Sequence, residues 1–190
     1  MRIDERLNLI IPIEYAGGAA YAHAMPLSRE VFETHFFILS KTFAAIYAEG
    51  LSHIAGPRVA ALLMKRIAVA AKIWDGPSGV EQSLVAEMRR LTSVILPTSA
   101  GWETVPYHEV VERGLIDADD ISEVENALTF FIVASAMHQR KELPTILGGA
   151  ARIWGAQISS LSITAFAASL PTSKETGSSG ATDQAPSIPH

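Results

Sequence analysis

Ile121 to Lys141 reads ISEVENALTFFIVASAMHQRK, and the reading of this stretch decides the fold. Its beginning has the chemistry of a helix start. Asp120 or Ser122 can cap it, and Ser122 with Glu125 three residues on has the pattern of a capping box, each side chain bonding the other's backbone N–H. Asp117, Asp119, Asp120, Glu123 and Glu125 crowd the positive end of the helix dipole, while Arg140 and Lys141 stand at the negative end. Between Asn126 and Gln139 there is no formal charge, and Leu128, Phe130, Phe131, Ile132, Val133 and Met137 cover more than one face. A helix apolar on several faces is one surrounded by protein. The stretch therefore predicts a central helix at about 121–141.

The segments before it supply partners. Leu7, Leu9, Ile11 and Ile13 alternate with their neighbours, and after Gly17-Gly18 a second alternating run brings Tyr21, His23 and Met25, which predicts a β-hairpin at about 7–25. Pro12 has no N–H for a ladder, so its strand should lie at an edge or end at a bulge. A lone hairpin is marginal in water and must pack on helices or pair with another copy, which would make a homo-oligomer. Ser28 caps a helix to about Glu49 with Phe32, Phe36, Leu39, Phe43 and Ile46 on one stripe. Pro57 opens a second helix, with Val59, Leu63, Ile67, Ala70 and Trp74 inward until Asp75-Gly76-Pro77. Arg58, Lys65 and Lys72 recur every seven residues on its outer face, with Arg66 beside them, and read as a solvated face. A third helix spans about Val80 to Leu96 through Leu84, Met88, Leu91 and Ile95. Thr98 to Val105 reads as loop, and Pro106 to Arg113 as a short helix ended by Gly114.

Beyond the central helix, Pro144 opens another helix with Leu147, Ala151, Trp154 and Ile158 along one side, and Thr164 to Leu170 adds a last turn or two before Pro171. From Pro171 the composition turns to Ser, Thr, Gly and Pro, with Ile188 the single large aliphatic residue, too little apolar surface to offset the entropy of ordering. The expectation is a mainly α, bundle-like single domain over 1–170 with an N-terminal hairpin, followed by a disordered, flexible tail over 171–190.

Composition narrows the function classes. The chain has 190 residues, 48% hydrophobic and 18% charged, enough for one domain with a real core. A net charge of −5 removes the general electrostatic reason to expect nucleic acid or an anionic membrane surface as partner. Cysteine is absent, which excludes a disulfide framework, a thiolate metal site and a Cys nucleophile, and fits a reducing cytoplasm. Met1 is followed by Arg2, Asp4, Glu5 and Arg6, not by an apolar run, so no signal peptide is visible. Leu143 to Leu170 carries only Arg152 as a formal charge, but Pro144, the glycines, Gln157 and the Ser/Thr set dilute it below a membrane span.

Tests for chemistry come back empty. The acids from Asp117 fail the calcium-loop pattern, with Ile121 at the fifth position, Ser122 at the sixth and Leu128 at the twelfth. The six histidines include no HExxH and no i, i+4 pair. Gly76-Pro77-Ser78-Gly79 follows a helix and reads as a turn, and Gly148-Gly149 and Gly155 match neither a P-loop nor a dinucleotide fingerprint. The expectation is a non-enzymatic protein with no catalytic, cofactor-binding or metal-ligating residues. Partner binding is then the job, and the candidates are Trp102, placed in a loop, and the apolar residues Trp154, Ile158, Phe166 and Leu170, up to Pro171 where the tail begins. On this reading a charge at Phe166 should release a partner without unfolding the domain.

Three segments, RLNLIIPIEYAGGAAYAHAMPLS leading into SREVFETHFF, GLIDADDISEVENALTFF, and WGAQ followed by FAASLPTS, resemble tail assembly chaperones of long-tailed bacteriophages and prophages. The likeness spans most of the chain and is one of architecture and phrasing. It implies a small, mostly helical protein of the infected host's cytoplasm that takes part in virion morphogenesis without entering the mature virion. Its partners would be the tape-measure protein, kept soluble and extended, and the tail-tube protein assembled around it, recruited through a longer frameshifted product. The alternatives are a structural virion protein, such as a tail-completion or connector subunit, and an enzyme or small-ligand binder with a pocket in the helical core.

Overall fold

The computed structural model describes residues 8–15, 18–138 and 155–171, with the single positions 142, 145 and 148. The hairpin forms as expected. Strand β1 (Asn8–Tyr15) pairs antiparallel with β2 (Gly18–Ala24) in a register running from Leu9 opposite Ala24 to Tyr15 opposite Gly18. Alternation sorts its side chains: Leu9, Ile11, Ile13, Ala20, Ala22 and Ala24 enter one core, and Ile10 and Tyr21 enter another on the opposite face.

The hairpin is two fifths of a sheet, and this overturns the mainly α, all-helical-core expectation. Strand β3 (Thr92–Thr98) pairs with β2, β4 (Gly101–Pro106) with β3, and β5 (Gln157–Ser159) with β1, every pair antiparallel, in the order β4-β3-β2-β1-β5. The molecule is a mixed α/β fold. The expected helix over Val80 to Leu96 ends at Arg90, as a π-helical stretch (Glu81–Val85) followed by α4 (Ala86–Arg90). Thr92-Ser-Val-Ile-Leu continues the apolar spacing but as a strand, with Val94 and Leu96 in the large core and Ile95 in the small one. A strand buried on both faces loses its alternation and cannot be told from helix by period. The expected loop from Thr98 to Val105 is the other arm of a hairpin whose two-residue turn, Ser99-Ala100, is closed by Thr98 opposite Gly101. Pro12 lies beyond the β5 pairing, which covers Asn8 to Ile10 of β1, so among the described residues its half of the strand is an edge.

The central helix, α6 (Ala118–Met137), stands where expected, shifted by a turn. Its cap is Asp117, whose Oδ1 accepts from the Asp120 N–H at 2.8 Å. The Ser122–Glu125 capping box does not form, because both residues are already inside the helix. Val124, Leu128, Phe130, Phe131, Ile132, Val133 and Ala134 are buried around it, against β1 on one side and helices on the other.

The predicted helix from Ser28 breaks at His35 into α1 (Arg29–Thr34) and α2 (Phe36–Ala48), with Ser28 capping the first through the Val31 N–H. Helix α3 (Ser52–Ala70) begins before Pro57, which stands inside it. It crosses α6 and α2 at Gly56, where a Cβ would lie 2.7 Å from Phe130 and 3.0 Å from Ile46. It ends before Asp75-Gly76-Pro77: Lys72 takes a left-handed φ of 57°, and the Ile73 N–H reaches back to the Ala68 carbonyl at 2.9 Å, a Schellman end. Helix α5 (Tyr107–Glu112) matches its expected span and stops at Gly114. Helix α7 (Ile163–Ser169) supplies the last turns and lies on the sheet face away from α6. The helix predicted from Pro144, with Leu147, Ala151 and Trp154, lies outside the described residues, as does the tail from 172. Ile158, assigned to that helix, is in β5.

Candidate partner-binding surfaces

Four of the sequence-predicted residues meet on the outer face of the sheet. Ser162 caps α7 by accepting from the Ala165 N–H at 3.3 Å, which sets Phe166 down onto β2. Phe166 meets Tyr21 edge-on with ring centroids 5.6 Å apart, and Tyr21 meets Trp102 at 5.9 Å. The Trp102 Nε1–H donates to the Pro171 carbonyl at 3.2 Å, and Leu170 packs on the same cluster. The loop before α7 is pinned as well: the Leu161 carbonyl accepts from Asn8 Nδ2 at 2.9 Å and lies 3.1 Å from His23 Nε2.

This arrangement is internally satisfied. Phe166 is 5% exposed and forms a buried core with Ile10 and Ile95, so a charge there would break packing within the chain. The expected partner contact at Phe166 is thus a contact with the chain's own sheet. Ile158 is not part of this cluster; its strand partner is Leu9, and it packs against the large core on the other face. Trp154 lies outside the described residues.

The surface that sequence reasoning missed is the outer side of α3. Gly56, Ala60, Met64 and Ala68 face inward, not the stripe through Ala70, which is exposed. Small residues win that face because they let α3 approach α6 closely, while the larger Val59, Leu63 and Ile67 flank the contact half-buried. Large apolar residues are then left over. Ile54 is 62% exposed, Leu62 55% and Val69 52%, with Ile73 just beyond the helix and Phe36, Phe37 and Tyr47 exposed on α2. The signal for it was a helix carrying more large apolar residues than one inward stripe can use. Lys65 holds its ammonium 5.3 Å from the Trp74 ring centre, and from Leu51 to Trp74 the chain has no acidic residue.

Two clefts flank α6. One, of about 310 Å³, is walled by Lys65, Trp74, Glu81, Arg89, Glu125 and Asn126. Three of its polar side chains are tied within the fold: Arg89 pairs with Glu125 at 2.7 Å, and Asn126 accepts from the Ala61 N–H at 2.9 Å while donating to the Ser122 carbonyl at 2.8 Å. Tyr107 is fully buried, and burial together with Glu125 pushes its phenol above the ordinary tyrosine value. The other cleft, of about 420 Å³, lies between Pro12, Arg58, Asp119, Glu123 and Ala156. Burial, then Asp117, Glu123, Glu14 and Asp119, raise the Asp120 carboxyl. Among the described residues no three of His, Asp and Glu converge as metal ligands, and no helix is long and apolar enough to cross a membrane. Comparison of the chain with protein-family models, with curated proteins and with solved structures finds no match.

Proposed function

We propose that this chain is a non-enzymatic tail assembly chaperone of a long-tailed bacteriophage or prophage, acting in the host cytoplasm on the tape-measure protein and helping to recruit tail-tube subunits. The observation that carries the reading is the row of exposed large apolar side chains on α2 and α3. A tape-measure chain is long, helical and apolar, hence prone to aggregate before a tube covers it, and an exposed apolar helix face shields such a chain by helix-to-helix contact. The segments that carry the resemblance fall on β1, β2, α1 and the first residues of α2, on most of α6, and on Gln157 of β5 with the second half of α7. Most of these residues make the scaffold, and the exposed sides of α2 and α3 make the working surface.

The test is affinity capture of the tagged chain from cells expressing the whole tail gene cluster, followed by mass spectrometry. The expected catch is one very long helical protein. Its recovery should fall about tenfold or more in a Leu62→Asp, Val69→Asp variant, the loss a contact worth about 1.4 kcal/mol gives, with the urea midpoint unchanged. Recovery of tube or capsid subunits alone, with the chain present in finished particles, would replace this reading with that of a structural virion protein.

A further inference from the structure

The exposed side of α3 has a seven-residue order. Ala55, Leu62 and Val69 stand seven apart on its outward side, the spacing of one position of a coiled-coil seam, and the exposed Ile73 lies just past the left-handed turn at Lys72 that ends the helix. Arg58 and Lys65 follow Ala55 and Leu62 by three, which places them in a row along one flank of that seam, and Lys72 stands in the turn at the end of the helix. Arg66 stands on the other flank. At 100° per residue Lys65 and Arg66 fall on opposite sides of the Leu62–Val69 ridge. In a coiled coil, charges flanking the seam choose the partner helix.

From this arrangement we infer that the outer face of α3 docks an acidic amphipathic helix, one whose apolar ridge lies along Leu62 and Val69 and reaches the exposed Ile73, and whose Asp or Glu residues meet Lys65 on the flank and Lys72 at the helix end. It deepens the chaperone reading and rests on it only for the name of the partner. The chemistry is set by charge. A stretch of 24 residues, Leu51 to Trp74, with four Lys or Arg and no acid, in a chain of net charge −5, is a local reversal of sign. Helix α6 of a second copy does not fit this description, because its acids sit in its first turns and the apolar residues that follow are buried. A lipid surface fits less well, because the cations interleave with the apolar ridge and do not leave one side purely apolar.

The test uses the full chain and two labelled synthetic helical peptides of three heptads with the same leucine ridge, one flanked by Glu and the other by Lys, read by fluorescence anisotropy. The Glu peptide should bind, and the Lys peptide about tenfold or more weaker. Lys65→Glu with Lys72→Glu should reverse that preference, and Leu62→Ala should weaken the Glu peptide with the urea midpoint unchanged. Equal affinity for both peptides, or indifference to the charge reversal, overturns the inference. So does binding to phosphatidylglycerol vesicles that matches the Glu peptide and is lost in the same variants, or a dimer that Leu62→Ala dissolves. The two readings fail separately. If the Glu peptide binds as described but no tape-measure protein is captured, the docking strip stands and the chaperone reading falls. If the tape-measure protein is captured and charge reversal changes neither assay, the strip falls alone.

Discussion

The two faces of the sheet are covered in unequal ways. On one, α6 lies on β1 and carries α2 and α3 above it, so that Phe131 and Leu128 are enclosed by three helices and a strand layer. On the other, among the described residues, α7 is the one helix, and its Phe166 closes over Ile10 of β1 and Ile95 of β3 under a rim of Tyr21 and Trp102. The thick side has the capacity to absorb the cost of ordering; the thin side depends on a few specific attachments, the Ser162 cap, the Leu161 carbonyl and the Trp102–Pro171 bond. Depth of packing therefore separates what holds the fold from what merely closes it.

Truncation at equivalent aromatic positions tests this division most strongly. Phe131→Ala should cost about 3–5 kcal/mol and lower the urea midpoint of the whole chain. Phe166→Ala should cost about 3 kcal/mol or less, because α7 can lift as a unit, and hydrogen exchange should show lost protection in α7 with α6 unchanged. Equal global losses would mean the thin face is as integral as the thick one. A smaller effect sharpens the same contrast: Ser162→Ala should cost about 1 kcal/mol and be felt only in α7 exchange.

The smallest effect belongs to the thick side. Asp120 has a raised carboxyl in the folded chain, so the native state holds its proton more tightly than the unfolded state does, and its ionisation weakens the fold. The stability it withholds is regained as pH falls through the raised native value toward the ordinary aspartate value, and does not change further below that. Asp120→Asn should accordingly raise the urea midpoint slightly at about pH 7, the gain vanishing by about pH 3. No gain at neutral pH would mean that the helix dipole cancels the repulsion from Asp117, Asp119 and Glu123.

Legibility in the sequence follows the same physical lines. The hairpin could be read because β1 buries different residue types on its two sides, and α6 because an uncharged run flanked by acids admits one interpretation. Strand β3 could not, since Val94, Ile95 and Leu96 are buried on both faces and mimic a helix stripe. Strand β4 is six residues and β5 three, and neither offers enough alternation to count. Of the candidate site, the structure gathers Trp102, Phe166, Leu170 and Pro171 on the outer face of the sheet, a grouping the sequence did not show because Trp102 is remote in the chain from the other three, and it puts Ile158 on the other face. The α3 strip was half visible: the recurrence of Arg58, Lys65 and Lys72 was plain, while the ridge beside it was hidden by the assumption that large apolar residues turn inward. Gly56, Ala60 and Ala68 turn inward instead.

The place of β5 has a consequence in time. Asn8 hands its side-chain hydrogen bond to Leu161, 153 residues later in the chain, and the β5 strand that pairs with Asn8, Leu9 and Ile10 precedes that residue by a few positions. At about 5–20 residues per second that interval is roughly 8 to 30 s, during which β1 waits for its second neighbour. The nascent chain thus carries an open edge on β1 until the residues around Leu161 have been made.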